Sequence, residues 1–499
     1  MMIAIRDRSN QNRNIAGLFA AWMGLATMTP CICFASTVTA ATADKPNIVL
    51  VMADDQGWGQ VGYNGHPHLK TPNLDVMAAA GIRFNRFYAT PTCSPTRASV
   101  LTGRIPARTG VPAIGNRLCL QEKTLPEALK QAGYATALFG KWHLNGVGGR
   151  GVPILAEDPN HPGHYGFDEW LAVTNYFDMD PLMSRNGTFV QLKGDSSVLM
   201  VTEALKFMHS RKDGPFLVVI WFGSPHFPWT AREGDRRGLP SGNKEKLANH
   251  LGEIVALDRS VGMLRQGLRD LGIGKNTLVW YCSDNGGLPE DPDSVGGLRG
   301  HKGSLYEGGI RVPCIIEWPG RIKPMITDFP ASTMDIMPTI VDLLRLPDDA
   351  QLAVRDGESI AALFDGNTPK REHSIPFTSK GRAFIDGNYK LLNASRPNSA
   401  DWKLYDLERD PGEAKDVAAE HPERFERMKA EAQAILQSVD NSAEGKDYPE
   451  RKVIQPPRHE KWPEMEAYKP YLQTFERPRQ RASKNQPQGN AKSKRKDEQ

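Results

Sequence analysis

The sequence predicts an α/β fold: a large mixed, mostly parallel sheet sandwiched by helices, with a smaller C-terminal α+β domain containing an antiparallel sheet. Three observations carry this reading. Apolar runs at 48–53, 215–222 and 277–282 have the continuity of strands buried on both faces. Segments with helix-capping signals lie between them. After about residue 350 the pattern changes to shorter strand candidates separated by turns. At 499 residues the chain is long enough for two domains.

Taken in order, residues 1–43 have the layout of an export signal. Arg6, Arg8 and Arg13 precede a mostly apolar run from Ile15 to Phe34, and small residues follow to Ala43. Pro30, Thr27 and Thr29 interrupt the run, so a stable membrane span is not expected; an uncleaved anchor is the weaker alternative. The expected location is periplasmic or secreted. Cys31 and Cys33 would leave with the signal. Cys93, Cys119, Cys282 and Cys314 remain; if Cys93 is modified three are left, an odd number and too few for a disulfide framework, and Cys282 and Cys314, inside apolar runs, read as buried thiols.

The run Ile48–Ala53 ends in Asp54-Asp55, and Thr277–Cys282 ends in Ser283-Asp284-Asn285. Strand ends in an open α/β sheet deliver such residues to the edge where ligands bind. Asp54, Asp55, Asp284 and Asn285 offer only oxygen, which suits a hard dication, calcium before magnesium, and not zinc. A helix cap or turn is the plainer alternative. Thr71-Pro72 opens a helix that stops at Gly81, and Phe84–Ala89 reads as a strand. Next comes Cys93-Ser94-Pro95-Thr96-Arg97, ending in Leu101-Thr102-Gly103-Arg104. Pro95 favours a first helical turn, which places Cys93 just before a helix start, with Arg97 able to fold back on it. On local chemistry alone a buried structural thiol is an equal reading.

Thr124 with Glu127 forms a capping-box pattern for a helix ending at Gly133. A strand at 134–139 precedes Gly140-Lys141-Trp142-His143, where alternation would put Lys141 and His143 on one strand face. Alone, both would read as solvated. Pro225-His226-Phe227-Pro228 follows the next strand and holds a histidine on a stiff loop, which alone is more often structural. Asn249–Gly272 reads as an amphipathic helix with charged residues outward. The glycine-rich stretch His301–Pro313 includes Lys302 and leads into a strand at 314–318; Ser332–Leu346 reads as a helix. Arg382–Leu392 and Trp402–Leu407 read as strands, Asp410–Glu413 as a turn, and Pro422–Val439 as a helix. No phosphate-binding loop or serine-hydrolase elbow is present.

The Cys-x-Pro-x-Arg segment, Gly140-Lys141-Trp142-His143, Pro225-His226-x-Pro228 and Lys302-Gly303…Tyr306-Glu307-Gly308-Gly309-x-Arg311 together resemble the type I sulfatases. These motifs fall in family order over about residues 44–440. The resemblance implies an alkaline-phosphatase-like fold and hydrolysis of a sulfate monoester, with arylsulfatases and N-acetylgalactosamine-6-sulfatases as the nearest kinds. It implies that Cys93 is converted to formylglycine (3-oxoalanine) by a formylglycine-generating enzyme. It implies one calcium held by Asp54, Asp55, Asp284, Asn285 and the modified residue 93. Arg97 and Lys141 would hold the aldehyde hydrate, Lys141 and Lys302 the sulfate, His226 would protonate the leaving oxygen and His143 would take the second hydroxyl's proton. Gln60, where relatives often carry an acid, and Asn145, where glycine is common, depart from the pattern. A phosphate or phosphonate hydrolase of the same fold is the runner-up, and a non-catalytic glycan-binding relative the third reading.

The expected substrate is a small or oligosaccharide sulfate ester; His164, Asn175, Tyr176, Asp178, Arg185 and Trp229 are candidates to line its pocket, each equally readable as surface. The expected division is 44–355 catalytic, 356–440 small domain, 441–476 extension and 477–499 basic tail. That tail has eight Lys/Arg against Asp497 and Glu498, so the formal charge of +4 hides a mildly acidic body, and no nucleic-acid partner is expected.

Overall fold

A computed structural model describes residues 45–149, 151–240, 244–394, 401–454 and 460–471. The expected signal segment 1–43 and basic segment 477–499 lie outside these residues. Among the described residues, no helix is long and apolar enough to cross a membrane.

In chain order the strands of the large sheet are β1 (Asn47–Ala53), β2 (Ile82–Tyr88), β3 (Ala135–Lys141), β5 (Glu169–Val173), β6 (Leu182–Arg185), β7 (Thr188–Gln191), β8 (Phe216–Trp221), β9 (Thr277–Ser283), β10 (Arg311–Glu317), β11 (Met325–Thr327) and β12 (Ala331–Ser332). A short β4 (Val147–Gly148) stands apart from them. The sheet runs β11-β2-β10-β9-β1-β8-β3-β5-β6-β7, with β12 also on β2. Its centre, β9-β1-β8-β3-β5, is parallel, while β10 and β6 enter antiparallel. The mixed, mostly parallel expectation is met.

The helices are α1 (Pro72–Ala80), α2 (Cys93–Thr102), α3 (Leu125–Gln131), α4 (Ser196–Ser210), α5 (Glu245–Asp270), α6 (Glu307–Ile310) and α7 (Ile336–Leu343). The apolar continuity of β1 has a simple cause. Ile48, Leu50 and Met52 bury into a core shared with α2, α3 and α7, and Val49, Val51 and Ala53 into one shared with α1, α4 and α5. Each face removes its side chains from water, so neither can be polar.

Several boundaries shift. The Ser332–Leu346 expectation resolves into a 3₁₀ turn at Thr333–Asp335 and then α7, ending at Leu343. The helix α5 starts four residues before the expected Asn249, and its expected outer face is partly internal: His250, Glu253 and Asp258 are buried. Strands β5, β6 and β7 are short and were not expected from periodicity.

The second sheet is β13 (Ile375–Thr378), β14 (Arg382–Asp386), β15 (Tyr389–Asn393) and β16 (Lys403–Asp406), antiparallel throughout, with α8 (Pro422–Ala443) packed on it. The expected strand Arg382–Leu392 is thus a hairpin. This sheet shares an apolar cluster with the large body through Tyr88, Ile310 and Met334. Lys390 of β15 reaches across to Glu307 at 3.1 Å and to Glu413 at 2.9 Å, all buried. Glu413 also accepts from the Glu307 N–H at 2.6 Å. The small sheet therefore clamps the start of α6, just after the Lys302 loop.

Candidate active site

Strands β1 and β9 are in register, Ala53 opposite Ser283, so Asp54-Asp55 and Asp284-Asn285 leave the sheet side by side. The Asp284 N–H donates to Ala53 O at 3.1 Å, and the Asp54 N–H to Ser224 O at 3.0 Å. All four residues are buried. Asp55 has φ 72°, a left-handed conformation that Asp tolerates at a cost of about 1–3 kcal/mol. Its N–H donates to Asp284 Oδ1 at 3.0 Å, and Asn285 Nδ2 donates to Asp55 Oδ1 at 2.8 Å.

Two oxygens in this cluster have no partner: Asp54 Oδ1 and Asn285 Oδ1, both fully buried. Orphaned buried acceptors are costly and call for a ligand. Three carboxylates and an amide oxygen fit a hard dication. Asp54 and Asp55 have metal-like spacing together with His226, and His66, Asp291 and Asp293 form a second such group. There, however, His66 Nδ1 accepts from the Leu69 N–H at 2.9 Å, so Nε2 carries the proton it donates to Asp291 at 3.0 Å. Both ring nitrogens are used, and the group is explained without an ion.

Cys93 is the first residue of α2 and Thr92 the cap, one position different from the sequence expectation. The Thr96 hydroxyl lies 2.6 Å from Asp284 O and accepts from the Thr90 N–H at 3.1 Å, which ties the turn to the end of β9. Arg97 is wholly buried. Its Nη1 donates to Lys141 O at 3.0 Å and its Nη2 to Asp284 Oδ2 at 2.9 Å, with the guanidinium 5.0 Å from the Trp221 ring centre. Burial pushes the Cys93 thiol up, Lys141 and Lys302 pull it down, and Asp284 and Asp54 add to the rise. The turn that carries the thiol is tied to the end of β9 through Thr96 and Arg97 and to the lysine loop through Pro91.

Lys141, the last residue of β3, places Nζ 2.5 Å from Asp54 Oδ2. Lys302 is ion-paired with Asp55. Burial raises Asp54, but Lys141, His226, Arg97 and Lys302 together outweigh it and hold it far below the usual carboxylate range. Asp55 is likewise lowered against burial, chiefly by Lys302 and His226. Asp284 is pushed up to about 7 by burial and by Asp54 beside it. Three acids in so small a volume repel one another, and a dication relieves that repulsion.

His143 does not share a strand face with Lys141. The strand ends at Lys141, and His143 sits beyond it at φ 56°. It still joins the cluster: burial first, then Lys141 and Arg97, push its pKa well below the usual value, so the ring is neutral, and Nδ1 has no partner. His226 Nε2 lies 3.7 Å from Asp55 Oδ2, with 22 % of its side chain exposed. Burial lowers its pKa against the pull of Asp55 and Asp54.

The floor is backbone on backbone. A Cβ on Gly57 would fall 2.0 Å from Ser294 O, and one on Gly286 1.9 Å from Gly308 O. The Lys302 N–H donates to Gly287 O at 3.0 Å and the Gly303 N–H to Pro91 O at 2.8 Å, joining the lysine loop to the Cys93 turn.

Of the expected pocket residues, Tyr176 packs on His226 at 5.8 Å between ring centres, and its hydroxyl donates to Pro228 O at 2.6 Å. Asp178 bonds Tyr176 and Thr230, and Asn175 has a buried Oδ1 without partner. The Trp229 ring lies 4.7 Å from that of His250, tilted by 43°. Arg185 instead pairs with Glu203 at 2.6 Å, and His164 is exposed with its ring against Tyr165. Sequence reasoning missed His250 and Glu253, which back Trp229 and Thr230 from inside α5; only their spacing on one helix face hinted at it. Both departures are structural. Gln60 Nε2 bonds Asp291 at 2.8 Å and lies 2.9 Å from His250 Nε2, and Asn145 Nδ2 bonds Asp158 at 2.8 Å.

The chain matches the sulfatase family over residues 46–346, and the family described as N-sulphoglucosamine sulphohydrolase, C-terminal, over 300–441. It is 33% identical to arylsulfatase A of Homo sapiens over 463 residues, covering 78% of this chain and 87% of the relative. It is 33% identical to N-acetylgalactosamine-6-sulfatase of Mus musculus over 360 residues, covering 62% and 65%. The solved structure of Ps i-CgsB in complex with k-i-k-neocarrahexaose superposes with TM-score 0.70 at 25% identity, covering 89% of this chain and 100% of that one.

Proposed function

This chain belongs to the sulfatase family and hydrolyses sulfate monoesters, and we propose that it does so on sulfated carbohydrates through a formylglycine made from Cys93. What supports the reading is the hydrogen bonding that ties the start of α2, where Cys93 lies, to Asp284 at the end of β9 and to the Lys302 loop, beside the Lys141–Asp54 and Lys302–Asp55 pairs. The orphaned oxygens of Asp54 and Asn285 support a calcium held by Asp54, Asp55, Asp284, Asn285 and residue 93. Such an ion supplies charge neutralisation for sulfate oxygens and acidifies a neighbouring hydroxyl. A hydrated aldehyde at residue 93 would carry two hydroxyls on one carbon: one would attack sulfur, and loss of the other's proton would re-form the aldehyde as the C–O bond to sulfate breaks.

The protein's own groups do the rest. Lys141 and Lys302, fixed by Asp54 and Asp55, bind the sulfate oxygens where charge develops. Arg97, held by Asp284 and the Lys141 carbonyl, orients residue 93. His226, the partly exposed histidine, protonates the leaving oxygen; neutral His143 accepts a proton from the residue 93 hydroxyl. Tyr176 and Trp229 offer flat apolar faces of the kind that receive a sugar ring. The signal-like segment 1–43 supports export, with maturation by a formylglycine-generating enzyme.

The test is turnover of 4-nitrophenyl sulfate, 4-nitrophenyl phosphate and a panel of sulfated mono- and oligosaccharides, using protein matured with the modifying enzyme. Aryl sulfate turnover well above aryl phosphate, with at least one saccharide desulfated, is expected. A panel left untouched by a preparation active on aryl sulfate would defeat the carbohydrate assignment.

A further inference from the structure

The segment 460–471 returns to the large body and braces a loop behind the active site. Its first residues form β17 (Glu460–Lys461), which pairs in parallel with β4, Glu460 opposite Val147 and Lys461 opposite Gly148. Trp462 and Tyr468 are buried there with Val147, Val152 and Leu155. The fit is tight: a Cβ on Gly149 would lie 2.3 Å from Trp462 Cδ1. The Tyr468 hydroxyl donates to Pro153 O at 3.1 Å.

From that loop, backbone hydrogen bonds lead to the site. The Thr174 N–H donates to Val152 O at 2.8 Å, and the Gly151 N–H to Tyr176 O at 2.7 Å. The His143 N–H in turn donates to Thr174 O at 2.7 Å, and the Tyr176 ring rests on His226. Trp462 and Tyr468 thus reach two active-site histidines through residues 147–149 and 151–153 and the segment 174–176.

We propose that Trp462 and Tyr468 are positioning residues that hold the Thr174–Asp178 wall in place for the alcohol part of the substrate. This rests on the carbohydrate reading above. A large sulfated saccharide needs that wall; a small aryl sulfate needs mainly the floor at the ends of β1 and β9 and the start of α2, and feels the brace only through His143 and His226. Misplacing a wall by a fraction of an ångström weakens binding of what leans on it without altering the chemistry beneath.

The experiment uses the full chain with Trp462→Ala, Trp462→Phe and Tyr468→Phe. Steady-state kinetics are measured on 4-nitrophenyl sulfate and on the best saccharide of the panel, alongside amide hydrogen exchange. For Trp462→Ala the saccharide KM is expected to rise about ten-fold, with aryl sulfate kcat changed less than about two-fold. Trp462→Phe should restore most of the loss. Exchange at the Gly151 and Thr174 amides should quicken in Trp462→Ala. An unchanged saccharide KM, or equal losses of kcat on both substrates, overturns the proposal. If Trp462→Ala does not fold, Tyr468→Phe, which keeps the ring and removes the hydroxyl with its hydrogen bonds, decides it by the same KM split. Should the parent accept no saccharide, the carbohydrate reading falls, and the brace is judged on exchange alone: unchanged protection of Gly151 and Thr174 overturns it.

Discussion

Arg97 Nη2 lies 2.9 Å from Asp284 Oδ2, so the first turns of α2 and the end of β9 are joined by a charge-assisted bond wholly out of water. The same guanidinium caps the Lys141 carbonyl at 3.0 Å. Its planar fork meets two acceptors that a point charge cannot meet together. Arg97→Lys is expected to lower kcat/KM by about 100-fold and to lower the melting temperature as well. Parent-like kinetics with 4-nitrophenyl sulfate would show that the fork is dispensable.

Cys93 gives a sharper test. In protein matured with the modifying enzyme, the tryptic peptide Phe87–Arg97 should carry the aldehyde mass at residue 93. Cys93→Ala should be inactive, while Cys93→Ser, with one hydroxyl in place of two, should accumulate a sulfated enzyme visible by intact mass. Equal turnover by Cys93→Ala would refute the role given to this residue.

Removing the metal should cost both activity and stability. Without an ion, Asp54 Oδ1 and Asn285 Oδ1 are unsatisfied and three buried acids repel. A ligand present at about 100 times its dissociation constant adds roughly 2.7 kcal/mol to folding. Chelation followed by dialysis should therefore lower the melting temperature by several degrees, and calcium should restore it. A melting curve indifferent to chelator and calcium would count against the site.

Much of the floor was legible in the sequence, because a strand buried on both faces leaves a continuous apolar run and the polar residues ending it must lie at the sheet edge. Asp54-Asp55 and Asp284-Asn285 were found that way. His143 reached the site by a different route than alternation implied: the left-handed turn after Lys141 leaves no periodic trace. The burial of His250, Glu253 and Asp258 on α5 was hidden for another reason. A helix wedged between several neighbours buries polar side chains that bond to loops, and charge in the sequence then reads as an outer face. β6 and β7 are four-residue, partly buried strands at one margin of the sheet, with β7 at its edge, so their pattern is too weak to read.

Asp178 sets a pH dependence of stability. Burial pushes its pKa up to about 6, against hydrogen bonds from Thr230 and Tyr176. The folded state thus holds the proton more tightly than the unfolded chain. This favours folding below the unfolded value, near 4, and the advantage is lost as pH rises towards 6. Asp178→Asn should therefore melt higher than the parent at pH 7.5, by roughly 1–2 kcal/mol, with a much smaller difference at pH 4.5. A gap that does not widen between the two pH values would contradict the assignment.

Lys390 is the cation between two buried acids, Glu307 and Glu413. Lys390→Met removes it and leaves both carboxylates facing each other in the interior, at a cost of about 3–5 kcal/mol. The loss should appear as a lower denaturant midpoint. The triple variant Lys390→Met, Glu307→Gln, Glu413→Gln should recover part of it, which separates lost charge balance from lost packing.

The glycine floor has a consequence for how this enzyme can change. At Gly57 and Gly286 main chain lies directly against main chain, so a larger residue at either would demand that two loops part. Small mutational steps there lead nowhere, and the chemistry is in effect frozen. Diversification towards new esters is left to the rim, Asn175–Asp178 and Phe227–Thr230, and a library built for altered selectivity is best spent on those positions.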